Sequence, residues 1–239
     1  MFEASHMPRV FAVPPGVDFA EALVAGILKR SKDYQPHDFA RIDLFLNTSR
    51  MQRRVREIFD SRGASLLPRI RLITDISNDP LSTQIPSPIS PLRRRLELSV
   101  FVSKLLEKEP ELASRSAVHE LSASLAKLMD EMHSEGVEPD KIANLDVSDQ
   151  SGHWERSLKF LRIITPFFNE DQTLPDKEAR QRLVVEALTK TWQTSPPTRP
   201  MIVAGSTGSR GATSLFMRSV ANLPQGAVIL PGFDFDMPG

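Results

Sequence analysis

Three stretches of the chain hold residue types that can handle phosphate. The first is Gly205-Ser206-Thr207-Gly208-Ser209, followed by Arg210. An apolar run, Met201 to Ala204, precedes it, and the spaced apolar residues Leu215, Phe216, Val220 and Leu223 follow. That order reads as strand, glycine-rich loop and helix, so amides from Ser206 to Arg210 could meet an anion at a helix N-terminus. An ATP-binding loop needs GxxxxGK[ST], whose lysine reaches the β- and γ-phosphates. Gly205 and Gly208 are too close for that pattern, and no lysine follows Pro200. The dinucleotide pattern GxGxxG is absent as well. Two readings stay open: an anion-receiving loop contacting through Ser206, Thr207 and Ser209, or a tight turn with a Ser/Thr cap.

The second stretch begins at Thr48-Ser49-Arg50 and continues with Arg53, Arg54 and Arg56, set against only Glu57 and Asp60. Thr48 or Ser49 suits the N-cap of a helix whose buried face is Met51, Val55 and Ile58/Phe59. Such a cluster is either a solvated helix face or a phosphate site. In the second case Thr48, Ser49 and the helix N-terminus hold one phosphate, and Arg50 and Arg53 neutralise the next. The third stretch, Val13 to Phe19, reads VPPGVDF. It lies between a strand and a helix, where a nucleotide loop would sit. Pro14 and Pro15 offer no amide donors, Gly16 is followed by no lysine, and Asp18 brings negative charge. As a nucleotide loop it is degenerate.

Two further groups invite chemistry. Asp130-Glu131 and His133 lie within one helical turn. No second His/carboxylate pair is spaced to complete a metal site, so a solvated helix face is expected. Arg93-Arg94-Arg95 open a helix where the dipole prefers acids. They suggest either an anionic partner or arginine stems laid over apolar surface.

The elements that must carry these residues follow from hydrophobic spacing. Strands are expected at Arg9–Val13, Ile42–Leu46, Leu66–Ile73, Met201–Ala204 and Ala227–Leu230. Apolar strands without alternation suggest a parallel sheet buried on both faces. Ligands bind such sheets at the strands' carboxyl ends, which would gather Gly16, Thr48 and the Gly205–Ser209 loop on one edge. From Asn78 to Pro91 the chain is rich in Pro and Ser and reads as a loop. Beyond it the pattern is helical to about Ser195, with Leu92–Glu107 following Ser90-Pro91, then Val118–Met132, then a helix with Trp154 on its buried stripe. The expected architecture is an α/β layer over 8–85 and 198–239, interrupted by a helical insert over 90–195.

With 239 residues, 40% of them hydrophobic, the chain can build one or two real cores. Its 30 bases balance its 30 acids, so any nucleic-acid face must be local. It holds no cysteine, which excludes disulfides and iron–sulfur ligation within this segment. No apolar run approaches a membrane span. The opening residues lack a signal core. Met1 to Met7 is either native or a remnant, since Ser5-His6-Met7 is a common cloning scar, and it is left out of the fold reading.

Several collinear segments resemble one family. IVAGSTGSRGATSLFMRSVANLPQGAVILPGFD, starting at Ile202, is similar to a stretch of the AddB subunit of AddAB helicase–nucleases of the alphaproteobacterial type. That family typically reads AAGSTGSxPATxxL and then LPQGAVVLPGLD. The PPG opening at Pro14, LLPRIRLI from Leu66, LAKLMDEMHSEGV from Leu125 and HWERSLKFLRII from His153 also resemble family segments. Departures fall at Asn47, Met51, Ser134, Arg210-Gly211 and Phe233. The resemblance implies a degenerate RecA-like domain of the superfamily 1 helicase type with an all-helical insert. It implies single-strand contact near Thr48, Ser49, Arg50, Arg53 and Arg54, a position like helicase motif Ia. It further implies an AddA-type partner subunit, double-strand or single-strand DNA as substrate, a cytoplasmic setting and no cofactor in this segment. The family's iron–sulfur cluster belongs to a later region, so the chain reads as a fragment or a truncated frame. The alternatives are a phosphate-binding α/β enzyme using the Gly205–Ser209 loop, and a scaffold whose helical insert docks a partner.

Overall fold

The computed structural model describes residues 1–3, 7–63, 66–143, 151–168 and 174–236, with backbone alone for 81, 143 and 151–156. The described chain divides into two compact units, Met1–Pro80 with Val185–Gly239, and Leu81–Val184.

The first unit is a five-stranded sheet. Its strands are β1 (Val10–Ala12), β2 (Asp43–Leu46), β3 (Arg69–Leu72), β4 (Met201–Ala204) and β5 (Gly226–Leu230). They run in the order β1-β5-β4-β2-β3, and every pairing is parallel. The expected α/β fold with a parallel sheet and a helical insert is present. All four residues of β2 and all four of β4 are buried, because both sheet faces are covered. Leu44 and Leu46 face a core with Leu23, Val24 and Ile27 of α1 (Phe19–Arg30) and Val55, Ile58 and Phe59 of α3 (Ser49–Ser61). A short helix, α2 (Pro36–Phe39), precedes β2. Phe45 meets Phe216 of α9 (Gly211–Ala221) edge-on at 5.2 Å, and Trp192 lies 6.3 Å from the same ring.

β1, β2 and β3 are shorter than the runs that announce them, while β4 matches its run and β5 begins one residue earlier. β3 starts only at Arg69, after Pro68, which has no amide to donate. It ends at Leu72, where Asp75 Oδ2 accepts the Leu72 amide at 2.8 Å and Ile73–Asn78 coils into a 3-10 turn. The unit boundary falls inside α8 (Lys177–Thr194) rather than at Ser195. In the first unit Thr189 shares a 2.7 Å hydrogen bond with Ser219 of α9, alongside the Trp192–Phe216 contact.

Met1 and Phe2, left out of the fold reading, belong to the fold. Phe2 is 9% exposed within the α1–sheet core. The Phe2 amide donates to Gln225 Oε1 at 3.1 Å, and Gln225 Nε2 donates back to the Phe2 carbonyl at 2.9 Å. The Arg30 guanidinium lies 4.6 Å over Phe11 and 5.9 Å over Phe2. Phe2→Ala should therefore cost about 2–4 kcal/mol, at or below the range for a fully buried ring. Urea unfolding checks this: a loss under about 0.5 kcal/mol, the size of an ordinary surface change, would mean the terminus is not docked.

The second unit is helical: α4 (Pro91–Lys108), α5 (Val118–Glu135), α6 (Pro139–Ala143), α7 (Ser151–Ile164) and the start of α8. Leu98, Val102 and Leu106 of α4 pack with Leu125, Met129 and Met132 of α5 and with Leu161 and Ile164 of α7. Gly136 ends α5 at φ 67°, and the Val137 amide returns to the Met132 carbonyl at 2.9 Å. That left-handed closure is what glycine supplies. The core position expected for Trp154 lies outside the described side chains.

Two expectations are corrected here. Arg94 is neither solvated nor offered to an outside anion: it is 4% exposed, and its Nε donates to Asp176 Oδ1 at 3.0 Å. Its other nitrogens bond Glu97 at 2.9 Å and the Leu174 carbonyl at 3.0 Å, while Phe167 lies 4.4 Å from the guanidinium. His133 is not on a solvated face either. It is 9% exposed, its ring 4.1 Å from Phe168 and its Nδ1 4.0 Å from Asp176 Oδ2. Asp130 and Glu131 do face solvent.

Candidate nucleic-acid interface

Parallel pairing puts all carboxyl ends of the strands on one edge. Leu46 is in register with Ala204, so the chains leaving β2 and β4 emerge side by side. Thr48 and the Gly205–Ser209 loop therefore share that edge, and Pro14-Pro15-Gly16 follows β1 onto it as well.

Asn47 links the two central loops. Its Nδ2 donates to the Gly205 carbonyl, while the Gly205 amide donates to Ile229 at 3.1 Å. Gly205 has φ 80°, and a Cβ there would stand 3.2 Å from Asn47 Oδ1 and 3.4 Å from Phe19. Glycine is thus required for its conformation, and a Cβ would push Asn47 back by a few tenths of an ångström. Asn47 was visible in the sequence only as a departure from the resembled family. Its partner, 158 positions away, was not.

Three long helices begin at this edge, and their N-termini differ in charge. Asp18 caps α1 by accepting the Glu21 amide at 3.1 Å. That hydrogen bond, with the Arg54 guanidinium beside it, holds the Asp18 carboxyl below its ordinary range. Thr48 caps α3, its Oγ1 accepting the Met51 amide at 3.2 Å, and no acid occupies the first turn. The N-cap of α9 is Arg210, which makes no side-chain cap bond, and again no acid follows. This corrects the Ser/Thr-cap reading of that loop. Ser206 instead accepts the Gly208 amide at 3.2 Å, folding the loop on itself.

The expected contact residues divide accordingly. Thr48, Ser49, Arg50 and Arg53 are exposed together on the first turns of α3, and among the described residues neither arginine has an ion-pair partner. Arg54 is engaged elsewhere: its Nη2 lies 3.3 Å from Asp18 and 3.8 Å from Glu21. Thr207, Ser209 and Arg210 are exposed, and Ser206 is half-buried. Arg210 adds a cation that sequence reasoning considered only for its backbone amide and as a departure. Pro14, Pro15 and Gly16 form an exposed turn with Gly16 at φ 83°. Asp18 already fills the helix terminus behind it, leaving no cradle for phosphate there. At α3 and α9 the arrangement can accept anionic groups. Among the described residues no helix is long and apolar enough to cross a membrane.

A scan against protein-family models and a search of curated proteins find no match for this chain.

Proposed function

We propose that this chain is an ATPase-inactive, helicase-like segment of the AddB type, which guides single-stranded DNA along the carboxyl edge of its sheet. One observation carries the reading: the first turns of α3 offer Thr48, Ser49, Arg50 and Arg53, exposed and free of acids, beside the loop after β4. An unopposed helix N-terminus with two cations suits phosphates in succession. The degenerate turn at Pro14-Pro15-Gly16 supports a segment that does not fuel itself. Strand movement would then be driven by an AddA-type helicase–nuclease subunit, in the cytoplasm, during resection of double-strand breaks for recombination. The family resemblance of the sequence segments supports that assignment of partner and process.

Fluorescence anisotropy on a labelled oligothymidylate tests it. Each phosphate contact should add about −0.7 to the log–log salt slope. Arg50→Ala/Arg53→Ala should flatten the slope by about 1 to 1.5 and weaken all sequences alike. An unchanged slope would make the cluster a solvated helix face. Calorimetry on the same protein should show no Mg-ATP binding, and a micromolar site would defeat the ATPase-inactive reading.

A further inference from the structure

Helix α4 carries two apolar stripes. Arg94, Leu98, Val102 and Leu106 are buried in the bundle. Two residues earlier in each step stand Leu92, Leu96 and Val100, which are 64%, 55% and 52% exposed. Two residues is about 200° around a helix, so the exposed stripe faces away from the buried one. Scattered exposed leucines are ordinary, but a row at i, i+4 and i+8 is a helix-packing ridge. Ser99 and Ser103 lie beside it and leave room for close approach.

The charges around the ridge identify what would cover it. Arg93 and Arg95 flank its first half and are exposed. Among the described residues Arg93 pairs only with Glu97, at 3.1 Å on the surface, and Arg95 has no ion-pair partner. The first turn holds no acid, and Ser90 makes no side-chain cap bond, so the helix's positive end adds to theirs. A second copy of this ridge packed in parallel would bring like charges together, and one packed antiparallel would offer Arg95 only Glu97, which Arg93 and Arg94 already hold. A bilayer is a poor cover too, because the opposite face of α4 is committed to the core and the ridge is only about 12 Å long. Nucleic acid would satisfy the arginines but strand the three aliphatic side chains, because the half-exposed ring beside them, Phe101, is already packed edge-on against Phe167 at 5.7 Å.

We propose that α4 docks an amphipathic helix of a partner protein, with apolar residues over Leu92, Leu96 and Val100 and flanking acids facing Arg93 and Arg95. This is helix-against-helix recognition in which the ridge supplies affinity and the arginines select the partner. It is independent of DNA binding at α3, which belongs to the other unit.

The test uses the full chain and a fluorescent 20-residue helical peptide carrying leucines at i, i+3 and i+4 flanked by glutamates. One control peptide replaces the glutamates by lysines, and another replaces the leucines by serines. The acidic amphipathic peptide should bind saturably, and each control at least tenfold more weakly. Leu96→Ser and Arg93→Glu/Arg95→Glu should each weaken it at least tenfold. Lys108→Ala, at the far end of α4, should not. These positions are exposed, and circular dichroism will confirm that each variant folds. Absence of binding, equal binding of the lysine peptide, or indifference to Leu96→Ser would overturn the proposal. So would Leu96-dependent binding to phosphatidylglycerol vesicles or to the oligothymidylate, or a Leu96-dependent dimer in sedimentation.

Discussion

Arg199→Ala should destabilise the sheet-bearing unit by about 3 kcal/mol, near the lower end for breaking a buried ion pair. Asp43 opens the central strand β2 and is 0% exposed. Its Oδ2 accepts from Arg199 Nε, and among the described residues its Oδ1 has no hydrogen-bond partner. Removing the guanidinium leaves a buried carboxylate without a counter-charge. Arg199 is itself 42% exposed, which admits water and keeps the loss from the upper end of that range. The contrast is Arg62, 2.6 Å from Glu21 but with both side chains about two-fifths exposed. Arg62→Ala should cost under about 1 kcal/mol despite the short distance, because exposed pairs are screened and each partner keeps its water. Denaturant unfolding read through Trp192, which lies in this unit, separates the two. Equal losses would show that burial does not set the value of these pairs. In the Arg199→Ala background, Asp43→Asn should restore part of the loss.

What the sequence made legible follows from how far each interaction reaches. β4 and β5 could be found because their apolar runs are uninterrupted and glycine or proline bounds them. The shared edge of Thr48 and Gly205 followed from strand direction alone, since a parallel sheet leaves no other arrangement. Thr48 as a cap needed only the residue three positions on. Ranking the arginines was beyond sequence, because Arg54 differs from Arg50 and Arg53 only through Asp18 and Glu21 on another helix. The same holds for Phe2 and Gln225, 223 positions apart, and for Arg94 and Asp176, 82 apart. Local spacing made Arg93-Arg94-Arg95 look like one cluster. Helical rotation then buried the middle residue and left the outer two in solvent. His133 was misread for the same reason: its place on the buried side of α5 depends on Asp176 and Phe168, which no periodicity shows.

The other large effect expected is at Arg94. Arg94→Met keeps much of the side chain's volume but leaves Asp176 buried without its cation, together with the Leu174 carbonyl that Arg94 satisfies. The helical unit should lose about 3–5 kcal/mol. Arg94→Met/Asp176→Leu should recover most of it, since an apolar pair of similar volume avoids the desolvation of two ions. Trp192 reports on the other unit, so far-ultraviolet circular dichroism of the helices set against Trp192 fluorescence in a Trp154→Phe background assigns the loss. The same cluster sets a pH dependence. Burial lowers the His133 pKa; Asp176 opposes that shift and Arg94 adds to it. The unfolded chain therefore takes up a proton that the folded chain refuses, and this contribution is lost as pH falls below 6.5. Asp130 has the opposite sign. Desolvation, then the nearby Asp176 and Glu178, push its carboxyl up to about 6. Its contribution is full below the unfolded value of 3.8 and is lost as pH rises through about 6. Asp130 faces solvent, so screening reduces the effect to about 1 kcal/mol at most. Asp130→Asn should therefore stabilise the unit modestly at pH 7 and leave the His133 slope uncovered, with stability falling more steeply from pH 6.5 to 5. A flatter profile in Asp130→Asn would reverse the assigned signs. A loss below about 1 kcal/mol in Arg94→Met would place that ion pair among the screened surface pairs instead.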